Sequence, residues 1–359
     1  MFISKFKKLR TIDFSHIGLG DNIMAWAGLY TILLNDIPAI DSQCTIYVPR
    51  ILHKFALSIF SKYGIDVKSV SSRDQITYIS PVFSAESPNT KSLKELYNSF
   101  IGPDWRINCF EALDLQKKPS SFSRKETIRS RLRLNISERI FYNHKSWENA
   151  QPAYVGYRLW LPIAHKMDIM PVQFMSLMKR SLNDFRKETI QYIDGFKHSD
   201  NNIDDILVFP VGKSFQTFTP EFCKDLSASL APKISTFYLP KNDVWHKKYK
   251  KYSYRQKEIL SIDEIFFLIK NGKKIITTDS FSSHIAQIIR DDFTLVLTRD
   301  FRENVLHPGA SPRTVMHHPV CAPCHYVSRA TSKKCPVGLY HCAAFDQKTL
   351  ITDIVHNIN

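Results

Sequence analysis

Residues 10–34 read RTIDFSHIGLGDNIMAWAGLYTILL and hold in miniature the pattern that decides the fold. A short run of β-formers, 10–15, meets two glycines and an acid, and a long apolar helical stretch begins at about Asp21. The alternation continues outward, with β-type runs at 44–48 (CTIYV) and 75–80 (QITYIS) on either side of a helix from about Ile51. Strands alternating with helices in this way imply βαβ units and a parallel sheet. A basic helix is expected within 114–134, where turn residues give way to a run of lysines and arginines.

A second alternation starts at 206–209 (ILVF) and runs through a helix at 220–230, a strand at 236–239 (TFYL) and a helix at 262–270. It continues with strands at 274–278 (KIITT) and 294–298 (TLVLT), a helix from about Ser282 between them, and a last helix from about Gln347. The polar stretch 183–205 reads as the linker between two similar α/β halves. No short-period repeat interrupts either half, which excludes a solenoid.

Composition agrees. A chain of 359 residues, 43% hydrophobic and 23% charged, is long enough for two cores and is neither disordered throughout nor a polytopic membrane protein. The longest apolar run, 23–34, is too short for a hydrocarbon core of roughly 30 Å. The start MFISKFKKLR has no apolar segment of signal-peptide type, so the expected location is the cytoplasm. Forty-nine Lys and Arg against 34 Asp and Glu leave a net charge of +15, which favours anionic partners such as phosphorylated sugars, nucleic acid or an anionic membrane leaflet.

Three segments carry candidate chemistry. At the first strand-to-helix junction, His16, Gly18, Gly20 and Asp21 form a tight turn against a helix N-terminus. There Asp21 serves either as a helix cap or as a general base. The segment is neither a full dinucleotide fingerprint nor a P-loop. In the second half, Asp279, Ser280, Ser282, Ser283 and His284 open a helix after a strand, as capping groups or as phosphate ligands. Lys213 and Ser214 follow the strand 206–209, at the edge where open α/β sheets place their ligands.

Cys321, Cys324, Cys335 and Cys342 are spaced C-x2-C-x10-C-x6-C, a set that suits one tetrahedral zinc or iron in a closed, structural site. His325 and His341 adjoin them as alternative ligands, and reduced thiols or disulfides are the competing readings. The run 245–255 (WHKKYKKYSYR) interleaves cations and aromatics, as single-strand binders do, or forms a solvated loop.

Together these segments resemble the heptosyltransferases of glycosyltransferase family 9. Residues 16–21 (HIGLGD) resemble that family's N-terminal GLGD loop, 279–286 (DSFSSHIA) its D-[TS]-G-x-x-H-x-A segment, and 209–222 its strand and W-P-x-E helix start. Phe281 stands where the family has glycine, and Gln216 and Thr217 replace the lysine before its W-P pair. The resemblance implies a GT-B fold of two Rossmann-like domains with parallel sheets facing across a cleft. These are an acceptor-side domain over 1–190, a nucleotide-sugar-binding domain over 200–345 that carries the cysteine cluster 321–342, and a C-terminal helix over 346–359. A four-cysteine cluster after the last strand is similar to one in the iron-binding branch that modifies adhesin proteins.

The implied activity is inverting glycosyl transfer without a catalytic metal, from ADP-heptose or another nucleotide sugar to a bacterial lipopolysaccharide, surface-glycan or protein acceptor. Asp21 is the implied catalytic base. Lys213, Ser214, Asp279, Ser280, Ser282, Ser283 and His284 are the implied donor side, and peripheral contact with the inner membrane fits the charge. Two competing readings remain: a non-enzymatic nucleic-acid-binding protein with a zinc knuckle, and a catalytically inactive GT-B binding partner.

Overall fold

The computed structural model describes residues 8–15, 18–70, 82–84, 154, 156, 157, 160, 163, 164, 167–196, 203–211, 218–240, 249–298, 302–317 and 346–358. The chain divides into two compact units, Met1–Leu182 and Asn183–Asn359.

In the first unit β1 (Leu9–Asp13), α1 (Leu19–Leu34), β2 (Ile40–Pro49), α2 (His53–Phe60) and β3 (Asp66–Val70) alternate, and β4 (Val82–Ser84) completes a sheet of order β3-β2-β1-β4. The first three strands are parallel; β4 runs antiparallel beside β1. The run 75–80, expected as a strand, lies outside the described residues, and the strand beside β2 is Asp66–Val70. That edge strand has no apolar run to announce it, since only Val67 is buried among DVKSV.

Every residue of α1 from Asn22 to Ile32 is buried, which explains why the sequence shows no polar face there. Trp26 anchors the packing, with ring centroids 6.2 Å from Phe14, 5.9 Å from Phe55 and 5.8 Å from Phe60. On another side Trp160 lies against the helix backbone and donates its indole N–H to the Ala25 carbonyl at 2.8 Å. Gly28 makes this approach possible: a Cβ there would sit 2.2 Å from Trp160 Cδ1 and 2.9 Å from the Gly156 carbonyl oxygen.

Residues 183–194, expected to begin a linker, continue the helix α3 (Pro171–Asp194). Its buried positions Phe174, Met178, Leu182, Phe185, Thr189 and Ile193 recur every three or four residues. Of the charges that suggested a linker, Lys187 and Asp194 are exposed, whereas the Arg186 side chain is only 13% exposed and pairs with Asp291.

The second unit contains β5 (Ile206–Phe209), α4 (Pro220–Ser229), β6 (Ser235–Pro240), β7 (Gln256–Ile259), α5 (Ile262–Asn271), β8 (Lys274–Thr278), α6 (Phe281–Gln287), β9 (Thr294–Leu297), α7 (Arg302–Val305), β10 (Arg313–Met316) and α8 (Gln347–Ile358). All six strands are parallel, in the order β10-β9-β8-β5-β6-β7. The central strands β5 and β9 are buried throughout and read as continuous apolar runs, as parallel strands covered on both faces do. The edge strands β7 and β10 are only partly buried, so their sequences QKEI and RTVM gave no strand pattern. Helix α8 is part of this unit's core: Leu350, Ile354 and Ile358 pack with Phe222, Val296 and Val315. Among the described residues, no helix is long and apolar enough to cross a membrane.

Replacing Gly28 with alanine should lower stability by about 1–3 kcal/mol through overpacking against Trp160, despite alanine's better helix propensity. Urea unfolding of the variant checks this; unchanged stability would mean that Trp160 can be displaced without cost.

Candidate functional site

The second sheet fixes where a ligand can bind. From β5 the chain runs to β6 and β7 on one side, then crosses back to β8 and proceeds to β9 and β10 on the other. The order therefore reverses between the paired neighbours β5 and β8, and open α/β sheets hold ligands outside the carboxyl ends of the strands at such a reversal. Two loops leave the sheet there. One starts after Phe209 and closes where the Phe218 N–H donates to the Pro210 carbonyl at 3.0 Å. It delivers the chain to α4, capped by Thr219, whose hydroxyl accepts from the Phe222 N–H at 3.1 Å. The other is the short turn from Thr278 through Asp279 and Ser280 into α6.

That turn is built from serines. Ser283 Oγ accepts the Ser280 N–H at 3.1 Å and donates to the Ser280 carbonyl at 2.7 Å. Ser280 Oγ donates to the Thr278 carbonyl at 3.1 Å and lies 2.8 Å from Ser282 Oγ. All three serines are buried, so their hydroxyls are taken up in shaping the turn. The N–H groups of Phe281 and Ser282, at the first two helical positions, are the ones without an intrahelical acceptor. Phe281 occupies a helical position and is not among the residues of positive φ, so nothing in the backbone requires the glycine that the resembled family carries there.

His284 points back across this turn, with Nε2 3.5 Å from Asp279 Oδ1 and Nδ1 3.5 Å from the Gln287 side-chain amide. Accepting from that amide places the imidazole proton on Nε2, toward the Asp279 carboxylate. Burial pushes the His284 imidazole down to about 4, so at neutral pH it is an uncharged donor. Gln287 extends the arrangement: its amide donates to the Val305 carbonyl at 3.3 Å, and its oxygen accepts the His307 N–H at 2.7 Å. The Gly309 N–H donates to His307 Nδ1 at 3.1 Å. Burial, reinforced by the Arg186 guanidinium and opposed by Asp291, pushes His307 down to about 3. Arg186 itself grips Asp291 with two bonds of 2.6 Å and donates to the Gln287 carbonyl at 3.0 Å. Burial opposes ionisation of Asp291, but Arg186 and the Ser311 N–H outweigh it and hold the carboxyl below its usual range.

The first unit presents a second strand-to-helix junction. Asp13 ends β1 and accepts both the N–H and the hydroxyl of Ser15, at 2.8 and 2.6 Å. Gly18 caps α1 and Gly20 follows in its first turn, with Asp21 at the third helical position. A Cβ on Gly18 would lie 2.6 Å from Asp21 Oδ2, so the carboxylate folds back over the helix N-terminus and a larger residue at position 18 would make it shift. The half-buried acid thus sits where the helix dipole favours negative charge, at the carboxyl end of the sheet.

The structure therefore groups Asp279, Ser280, Ser282, Ser283 and His284 in one unit, and Gly18, Gly20 and Asp21 in the other. His16, Lys213, Ser214, Gln216, Thr217 and the four cysteines Cys321, Cys324, Cys335 and Cys342, with His325 and His341, lie outside the described residues, as do the basic stretch 114–134 and residues 245–248. The described part of the cation–aromatic run is engaged internally. Tyr249 bonds the Phe218 carbonyl, Tyr252 bonds Glu221, Lys250 pairs with Glu258 at 3.2 Å and Arg255 with Asp204 at 3.0 Å. Sequence reasoning missed Gln287, His307 and the Arg186–Asp291 pair. Only Gln287 left a signal, three residues after His284 on the same helix face.

No family model matches the chain, and no curated protein matches it. Solved structures that it resembles include the glycosyl transferase of family 9 from Veillonella parvula DSM 2008, at 8% identity over 99% of both chains with a TM-score of 0.49. The E. coli heptosyltransferase WaaC with ADP matches at 11% identity over 86% of this chain and 92% of that chain, TM-score 0.45. The E. coli ADP-heptose lps heptosyltransferase II matches at 11% identity over 94% and 98%, TM-score 0.40. At these identities and TM-scores the likeness carries no argument about activity or substrate.

Two buried neutral histidines make stability depend on acid. As pH falls below the ordinary imidazole value of about 6.5, the unfolded chain binds protons that folded His284 and His307 refuse until about 4 and about 3. Stability should therefore drop as pH falls through that window and be insensitive to these groups above it. Urea midpoints between about pH 7 and about pH 5 should fall, and His307→Asn should flatten the slope; an unchanged slope would show that His307 is not buried as a neutral ring.

Proposed function

We propose that the chain is a glycosyltransferase of GT-B type that transfers a sugar from a nucleoside-diphosphate donor, ADP-heptose in the first instance, to a glycan or protein acceptor. The observation that carries this reading is the order reversal between β5 and β8, which sets the Asp279–Ser283 turn and the first N–H groups of α6 at the ligand-binding edge of a parallel sheet. In this reading the N–H groups of Phe281 and Ser282 receive the diphosphate, with Lys213 and Ser214 contributing from the loop after β5. Fixed donors aimed at the charge on a departing diphosphate supply the electrostatic stabilisation that usually dominates such a step. The neutral His284 faces the Asp279 carboxylate at 3.5 Å and orients the turn; uncharged near neutral pH, it does not serve as a general acid.

Asp21 is the proposed base. Its carboxylate takes the proton of the acceptor hydroxyl as that oxygen attacks the anomeric carbon; the bond from that carbon to the diphosphate oxygen breaks with inversion, and its electron pair leaves with the nucleotide. Asp21 stands in the first turn of α1, where the helix dipole favours negative charge, and a Cβ on Gly18 would crowd its carboxylate. The four thiolates of Cys321, Cys324, Cys335 and Cys342 fit one zinc or iron in a closed tetrahedral site, which leaves no position for substrate and confines the metal to a structural role.

Asp21→Asn should retain nucleotide binding and fold while lowering turnover by about 10²–10⁴-fold, the usual worth of a general base. Release of ADP from ADP-heptose in the presence of acceptor measures this, and a fully active variant would remove Asp21 from the mechanism. Elemental analysis of the purified chain should find one zinc or iron per protein, lost when Cys324 is replaced by serine. A metal-free, equally stable protein would contradict the cysteine assignment.

A further inference from the structure

Gln287 is the last residue of α6 and stands one position past the stretch 279–286 that resembles the heptosyltransferases. Its side chain is enclosed, with the residue 2% exposed. Burying an amide costs free energy unless its donors and acceptor are met, and an apolar side chain of that size would fill the space without the cost. What the amide adds is direction. Two backbone groups of the segment after β9 set it: the His307 N–H can only donate and meets Gln287 Oε1 at 2.7 Å, while the Val305 carbonyl can only accept and meets Nε2 at 3.3 Å. Turning the amide over would set donor against donor and acceptor against acceptor. Its nitrogen therefore faces His284 Nδ1, 3.5 Å away, which makes Nδ1 the acceptor and Nε2 the protonated atom of the ring. Nε2 lies 3.5 Å from Asp279 Oδ1, where the opposite tautomer would set a lone pair against the carboxylate. The main chain of Gln287 is anchored too, since Arg186 donates to its carbonyl at 3.0 Å while gripping Asp291.

We propose that Gln287 is a positioning residue for the Asp279–Ser283 turn: it takes its orientation from the backbone of residues 305–307 and imposes it on the His284 ring, held with its Nε2–H toward Asp279. Strands β8 and β9 are paired neighbours, and Gln287 makes the turn that follows one and the segment that follows the other share a single arrangement. A buried amide without this task would support residues 305–307 alone. The consequence for ligand binding rests on the proposed nucleotide site at the turn; the hydrogen bond to the ring does not.

The test labels the histidines of the full chain with nitrogen-15 and follows their ring nitrogens by long-range proton–nitrogen correlation at neutral pH, His284 being recognised from the signals lost in His284→Asn. In the parent, His284 should carry its proton on Nε2, with Nδ1 displaced upfield as a hydrogen-bond acceptor. In Gln287→Met, which keeps the size and removes the amide, Nδ1 should move downfield to the position of a nitrogen that receives no proton. ADP binding, measured by titration calorimetry, should weaken about three- to tenfold, the worth of one hydrogen bond. Leu350→Ala, a truncation in the core against α8, should lower the melting temperature and leave both readings unchanged. The proposal is overturned if His284 of the parent carries its proton on Nδ1, a result that needs no variant to fold. It is also overturned if Nδ1 of Gln287→Met stays where it is in the parent, or if Nδ1 moves while the affinity for ADP does not. A parent that binds no nucleotide removes the transfer reading, and the ring signals still decide whether Gln287 sets the His284 ring, which keeps the two failures apart.

Discussion

The parallel pairing of β5 with β8 is the constraint on which the second unit depends. Leu207 lies beside Ile275 and Val208 beside Ile276, all buried, so a slip of either strand would break the packing on both covered faces. Because these strands are distant in sequence, their pairing forces the chain to reverse direction across the sheet. That reversal places the Thr278–Ser283 turn at the carboxyl edge of the sheet, beside the segment that follows β5. The serines then close the turn on itself, and burial does the rest: it keeps His284 and His307 uncharged and lets Gln287 join the turn to the segment after β9.

The sequence made the central strands and most helices of this unit legible because burial on both faces writes itself as an apolar run. ILVF, KIITT and TLVL were read within a residue of their observed bounds, and the last helix was placed at its observed start. Edge strands were invisible for the converse reason. QKEI, RTVM and DVKSV are each largely in contact with solvent, and a half-wet strand of four or five residues carries no pattern that separates it from a loop. Helix α3 was missed because its buried stripe is thin against a charged outer face. Of the site, sequence could name the residues of the Asp279–His284 turn, whose polar atoms are adjacent in the chain. It could not find Arg186 and Asp291, or His307 beneath Gln287, since those contacts join positions about twenty to a hundred residues apart.

Electrostatics ties the two levels together. The chain is strongly basic, yet several of its acids inside the second unit are committed to partners: Asp291 to Arg186, Asp204 to Arg255 and Asp205 to Lys273. Acids so engaged leave the excess of cations to set the field that an approaching anion meets. In the first unit, Asp21, the proposed base, stands at the third position of α1, where the helix dipole favours negative charge.

In the proposed function, the carboxyl edge of β5 and β8 holds a nucleoside diphosphate. Thermal unfolding of the full chain in the presence of ADP, UDP, GDP or CMP tests it most directly, because a ligand bound only by the folded state raises the melting temperature as its concentration exceeds its dissociation constant. A selective rise with one nucleoside diphosphate is expected, ADP if the donor is a heptose. No rise with any of the four, at concentrations far above a plausible dissociation constant, would contradict it.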